Sequence, residues 1–124
     1  MQLVDANDPI LRQVCRSDFR INIDTLLQMF EVLREKRGVG LAAPQVGIDA
    51  RFFITHWGDV FVNPKIADCQ NPTETLESCL SFPELQVKKR RWLTVKMEDQ
   101  SIFTGPYAIM IQHEIDHLNG VCIG

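Results

Sequence analysis

Apolar positions recur every three or four residues at Ile23, Leu26, Leu27, Phe30 and Leu33, a spacing that lines one face of a helix. Asp24 can cap this helix, which is expected to run to about Arg37, and Gly38 stops it. Residues 38–47 then read as a glycine-flanked loop with Pro44 inside it. Residues 51–55 and 60–62 are short strands joined by a turn at 56–59, in which Gly58 can take positive φ. Asn63-Pro64 ends the second strand, since proline cannot donate to a ladder, and Asn71-Pro72 marks another turn. Residues 85–97 suggest one or two strands with Val87, Trp92, Leu93, Val95 and Met97 as the apolar set. Gly105-Pro106 opens a final helix, closed by Asn119-Gly120. Its residues Tyr107, Ala108, Ile109, Met110, Ile111, Ile115 and Leu118 are apolar almost all round, the pattern of a buried helix. The expected fold is α+β: two main helices packed on short, mainly antiparallel strands.

Composition narrows this reading. A chain of 124 residues with 45% apolar and 23% charged residues fits one folded domain, residues 1–124, and argues against disorder. Thirteen Lys plus Arg against sixteen Asp plus Glu leave a net charge of −3. That is too mild to imply a nucleic acid or a membrane surface as partner. No apolar run approaches the roughly 18 residues of a membrane span, and no cationic segment precedes an apolar stretch at the N-terminus. The expectation is a cytoplasmic monomer. Four cysteines (Cys15, Cys69, Cys79 and Cys122) form no CxxC pair and suit a reducing compartment, where the default reading is a buried small hydrophobe.

The final helix carries Gln112-His113-Glu114-Ile115-Asp116-His117. Histidines four apart project from one helical face and can bind one metal ion, so this is expected to be a buried metal-binding helix. Glu114 can reach a metal-bound water without being a ligand. An open catalytic site needs a third protein ligand. No Asp, Glu or His follows His117, so that ligand is expected upstream or at Cys122. Cys79, Cys69, Cys15, His56 and several carboxylates are candidates, and spacing leaves the choice open.

Three motifs in one order carry a resemblance. They are Gly38-Val39-Gly40-Leu41-Ala42-Ala43-Pro44-Gln45, Glu77-Ser78-Cys79-Leu80-Ser81 and Gln112-His113-Glu114-Ile115-Asp116-His117-Leu118. With them the chain resembles the peptide deformylases across essentially its whole length. The resemblance implies a hydrolase that removes the N-formyl group from formyl-methionyl peptides and releases formate. Cys79, His113 and His117 would be the metal ligands, and Glu114 the general base that later serves as acid. A Cys/His₂ set alone suggests zinc. The resemblance instead implies ferrous iron, with zinc, nickel or cobalt as replacements in a purified sample. A metal-bound hydroxide would attack the formyl carbonyl. The Gln45 side-chain amide and the Leu80 backbone N–H would donate to the resulting oxyanion.

Gly40 lacks a side chain and lets a peptide approach in extended form, with Val39 and Ser78 beside it. Ser78 stands where the family usually has glycine, an exchange the backbone accepts at negative φ. Ile109 and Met110 are expected to wall the methionine pocket. The implied partner is a formylated nascent chain, as presented at the ribosome, with no specific nucleic acid. The run Lys88-Lys89-Arg90-Arg91 reads as a solvated edge strand. The family's bacterial members commonly continue into a C-terminal helix. This sequence looks like the compact form found in bacteriophage-encoded members, which would place it in a host cytoplasm.

Overall fold

The computed structural model describes residues 1–124. Two helices and two three-stranded antiparallel sheets make up the α+β architecture. Helix α1 spans Ile23–Glu35 and is capped by Asn22, whose side-chain oxygen accepts from the Asp24 N–H at 2.7 Å. Asp24 therefore lies inside the first turn, where its charge favours the helix N-terminus, and is not the cap. Asn and Asp cap equally well, so residue preference alone does not separate Asp24 from Asn22 two positions before it.

The first sheet has the order β1-β2-β3, built from Gly40–Ala42, Phe52–Thr55 and Val60–Val62. Strand β1 and the 3-10 turn Ala43–Val46 occupy the segment that reads as a loop. All three β1 residues are buried, so no polar alternation betrays the strand, and the pairing Leu41↔Ile54 supplies what periodicity could not.

The second sheet has the order β4-β5-β6: Ile66–Cys79, Phe82–Met97 and Ile102–Thr104. Strands β4 and β5 form a hairpin far longer than the short strands expected. Asn71-Pro72 is no turn. Asn71 takes φ 62° inside β4, and Pro72 lies opposite Trp92 in the continuing ladder. Asn63 does end its strand, at φ 47°.

Helix α2, Gly105–Leu118, packs against β1, β2, β5 and β6, which ties the two sheets together. Its residues Ala108, Met110, Ile111 and Leu118 join Ala42, Phe53, Val95 and Met97 in one apolar core. A second core forms where Met29, Val32 and Leu33 of α1 meet Leu41, Phe52 and Ile54. Gln112 acts as a clamp between helix and sheet. Its side-chain oxygen accepts from the Trp92 N–H at 2.9 Å, while its amide nitrogen donates to the Trp92 carbonyl at 2.7 Å. No helix is long and apolar enough to cross a membrane.

Candidate metal centre

Alternation along β4 decides what faces inward. Glu77 and Cys79 are buried, while Leu76 and Ser78 point outward. The end of β4 meets the C-terminal half of α2, and there the ligand atoms of Cys79, His113 and His117 lie within 4.8 Å of one another. Cys79 Sγ is 3.3 Å from His117 Nε2. Ligands of one tetrahedral ion, bonded at about 2.0–2.3 Å, sit roughly 3.3–3.8 Å apart, so this soft, largely buried set fits a single divalent metal. Glu114 Oε1, next in sequence to His113, is buried without any hydrogen-bond partner in the chain, as is His117 Nδ1 on the ring edge away from Cys79, so the protein alone leaves polar atoms around the cluster unsatisfied. Of the other candidates, Cys15 packs in the α2 core, Cys122 sits beside Leu11 and Phe82, and His56 lies in the β2–β3 turn.

Behind His113 stands a charged network that sequence reasoning missed. His113 Nδ1 is 2.9 Å from Glu77 Oε1, which leaves its other ring nitrogen for a metal. Arg91 grips Glu77 through Nε and Nη2, both at 2.8 Å, and reaches Asp116 through Nη1 at 2.7 Å. Thr75 adds a 2.6 Å hydroxyl bond to Glu77. Arg91 is only 6% exposed, so it is set apart from the solvated run of Lys88, Lys89 and Arg90 with which it was grouped. The signal was present: Arg91 shares its strand phase with Val87, Val95 and Met97, so period two turns it inward.

Burial works against every charge here, and partners decide the outcome. It raises the Glu77 pKa, but hydrogen bonds from Arg91, His113 and Thr75 outweigh it and hold the carboxyl well below its usual range. It likewise opposes the Arg91 cation, which Glu77 and Asp116 restore. For His113, burial is overcome by Cys79, Glu77 and Glu114, and its pKa rises. His117 has no such support, and burial with the neighbouring cations holds it neutral. Burial pushes Glu114 up to about 7 against the pull of His113 and Arg91. A carboxyl near neutrality suits proton transfer in both directions.

Gln45 is buried and fixed at both ends. Its oxygen accepts from the Ala42 N–H at 2.9 Å, and its amide nitrogen lies 3.0 Å from Ser81 Oγ and 3.5 Å from Cys79 Sγ. The Leu80 backbone N–H, in the tight turn between β4 and β5, is engaged by no backbone carbonyl. Gly40 lines the cleft and also makes room within the site. A Cβ there would fall 2.8 Å from Glu114 Oε2, so the missing side chain makes room for this carboxylate. Ser78 is exposed and keeps out of the left-handed region, so the family's glycine is not required by its φ.

A cleft of about 620 Å³ opens from this cluster. Val39, Gly40, Ser78, Leu80, Ile109 and Met110 all line it. So do Leu3 at the N-terminus and Lys36 and Arg37 at the end of α1, none of which stood out in the sequence. What converges is a triad able to hold a metal, a carboxyl pushed up to about 7, an amide donor and a cleft with apolar and polar walls.

The family model for polypeptide deformylase matches residues 1–123. A peptide deformylase of Thermotoga petrophila is 40% identical over 131 aligned positions, covering 94% of this chain and 80% of that protein. The crystal structure of peptide deformylase from Thermotoga maritima superposes with a TM-score of 0.86 at 33% identity, covering 98% of this chain and 92% of that one. A deformylase of the Vibrio parahaemolyticus bacteriophage VP16T, crystallised with actinonin, gives a TM-score of 0.86 at 29% identity, with 99% and 100% covered. On the family match and on relatives aligned over most of both chains, this chain belongs to the polypeptide deformylase family of metal-dependent hydrolases.

Proposed function

We propose that the chain hydrolyses the formamide bond of formyl-methionyl peptides, releasing formate and a free amino terminus. One observation supports this above the rest. Glu114, Gln45, Cys79 and His113 line one cleft, and His117 lies directly behind Cys79. A divalent metal held by the three side chains supplies a Lewis acid and lowers the pKa of a water to the neutral range. Ferrous iron is the metal we assign to the working enzyme, with zinc, nickel or cobalt able to replace it.

The chain's own groups complete the chemistry. Glu114, buried with one unpartnered oxygen, takes the proton from the attacking water and passes it to the departing amine nitrogen. The Gln45 amide N–H and the Leu80 backbone N–H donate to the formyl oxygen as charge builds on it. One such donor is worth about 3–4 kcal/mol of barrier. Glu77, gripped by Arg91, orients the His113 ring so that one nitrogen faces the centre. Ile109 and Met110 bury the methionine side chain, while the backbone at Val39, Gly40 and Ser78 runs alongside the peptide. Formylated nascent chains emerging from the ribosome are the natural source of this substrate.

The test is formate release from formyl-Met-Ala-Ser by iron- or nickel-loaded protein, with acetyl-Met-Ala-Ser as control. Formate from the first peptide and no acetate from the second are expected. Fully metallated protein that releases no formate contradicts the proposal.

A further inference from the structure

The mouth of the cleft holds two cations whose placement runs against local backbone preference. Helix α1 ends in a Schellman motif: the Gly38 N–H donates to the Leu33 carbonyl and the Arg37 N–H to the Arg34 carbonyl, each at 3.1 Å. The residue between cap and Gly38 must be left-handed, and glycine is favoured there. The chain has Arg37, at φ 54°. An L side chain is disfavoured in that region, and such outliers gather where a side chain has work to do. Arg37 and its neighbour Lys36 both line the cleft, both are exposed, and neither forms an ion pair. The other ionisable residues lining it are Glu77, Cys79, His113 and Glu114, none of them exposed. The rim is thus cationic in a chain of net charge −3.

Distance along the chain says what such a rim can read. Gly40 lies against the Glu114 carboxylate, and Arg37 is three residues upstream, at most about 10 Å of backbone away. An extended peptide advances about 3.4 Å per residue. With its formyl end at Glu114, its second to fourth residues pass within reach of the two long cationic side chains.

We propose that Lys36 and Arg37 determine specificity by favouring formylated peptides with acidic residues just after the methionine. This rests on the deformylase reading of the same site. Two exposed ion pairs should raise kcat/KM for such peptides about 3- to 10-fold over neutral ones at low ionic strength, mainly through KM.

The experiment compares amidated formyl-Met-Ala-Asp-Glu, formyl-Met-Ala-Ser-Gln and formyl-Met-Ala-Lys-Lys at about 20 and 500 mM salt. The metal-loaded wild type, Arg37→Gly, Lys36→Gln and Arg90→Gln are assayed side by side. Arg90 is an exposed cation that does not line the cleft, so its loss changes net charge alone. The acidic-to-neutral ratio should exceed unity in the wild type and Arg90→Gln, fall toward unity in the other two variants, and collapse at high salt. Arg37→Gly should also raise Tm by about 2–4 °C as the strain is relieved, a gain of stability together with a loss of preference. Hydrolysis without acidic preference, or a preference that survives in both cleft variants, overturns this inference alone. An equal fall in Arg90→Gln would also overturn it, by assigning the effect to net charge. Polyuridylate inhibition that disappears in Arg37→Gly would assign the cations to RNA instead. Failure to hydrolyse any of the peptides overturns the underlying deformylase reading and this inference with it.

Discussion

Removing one partner of the Arg91–Glu77 pair should cost far more than removing both. The two side chains are 7% and 8% exposed and share two hydrogen bonds of 2.8 Å. Arg91→Met leaves the Glu77 carboxylate buried with only Thr75 and His113 beside it. Glu77→Gln leaves the guanidinium with Asp116 as its one anion, and an amide that can satisfy only part of the rest of its fork. Breaking a buried pair in this way destabilises by about 3–5 kcal/mol, because an uncompensated charge remains. The double variant carries neither charge, so its cost should fall short of the sum of the single costs by about 2 kcal/mol or more. Urea unfolding of the metal-depleted chains gives all four stabilities on one scale. The acid limb offers a second check. The Glu77 pKa is depressed on folding, so the pair's contribution is present above the unfolded carboxylate pKa of about 4.3 and is lost as pH falls below it. Glu77→Gln should flatten that loss. Additive single costs, within about 0.5 kcal/mol, would refute the picture of one coupled buried network.

Three further outcomes follow from the site's geometry. Glu114→Ala should keep its metal, measured as metal per chain, yet lose about 10²-fold or more in formate release, as expected for a missing general base. Cys79→Ser should bind metal more weakly and lose the stability that metal confers, seen as a smaller rise in Tm on metal addition. In Gly40→Ala the new Cβ meets Glu114 Oε2 at 2.8 Å, so a destabilisation of about 1–3 kcal/mol should accompany a fall in kcat, with metal content unchanged.

What the sequence made legible follows from the physics of each signal. Helix α1 announces itself through periodicity, because one face meets water, and β3 through its β-prone residues and flanking turns. Helix α2 reads as buried because its apolar residues surround it. Strand β1 is invisible because three buried residues cannot show an alternation. The Asn71-Pro72 pair misleads because its turn chemistry is absorbed as an irregularity within β4, with Asn71 left-handed and the ladder resuming beyond it. At the site, His113 and His117 are legible from their i, i+4 spacing, whereas Cys79 becomes a ligand only by resemblance, since no spacing rule spans the 34 residues to His113. Arg91 hid within a basic run although its strand phase pointed inward. Arg37 could not be found at all from sequence, because its importance lies in a backbone angle and in where α1 happens to end.

The central claim is that one metal, held by Cys79, His113 and His117, drives deformylation in this cleft. Titrating the metal-free chain with ferrous iron or nickel under anaerobic conditions, while metal per chain and the initial rate of formate release from formyl-Met-Ala-Ser are followed together, tests it most directly. The rate should climb in proportion to occupancy and level off at one equivalent per chain. A rate that tracks a second equivalent, or stays at background with the first site full, would contradict the account.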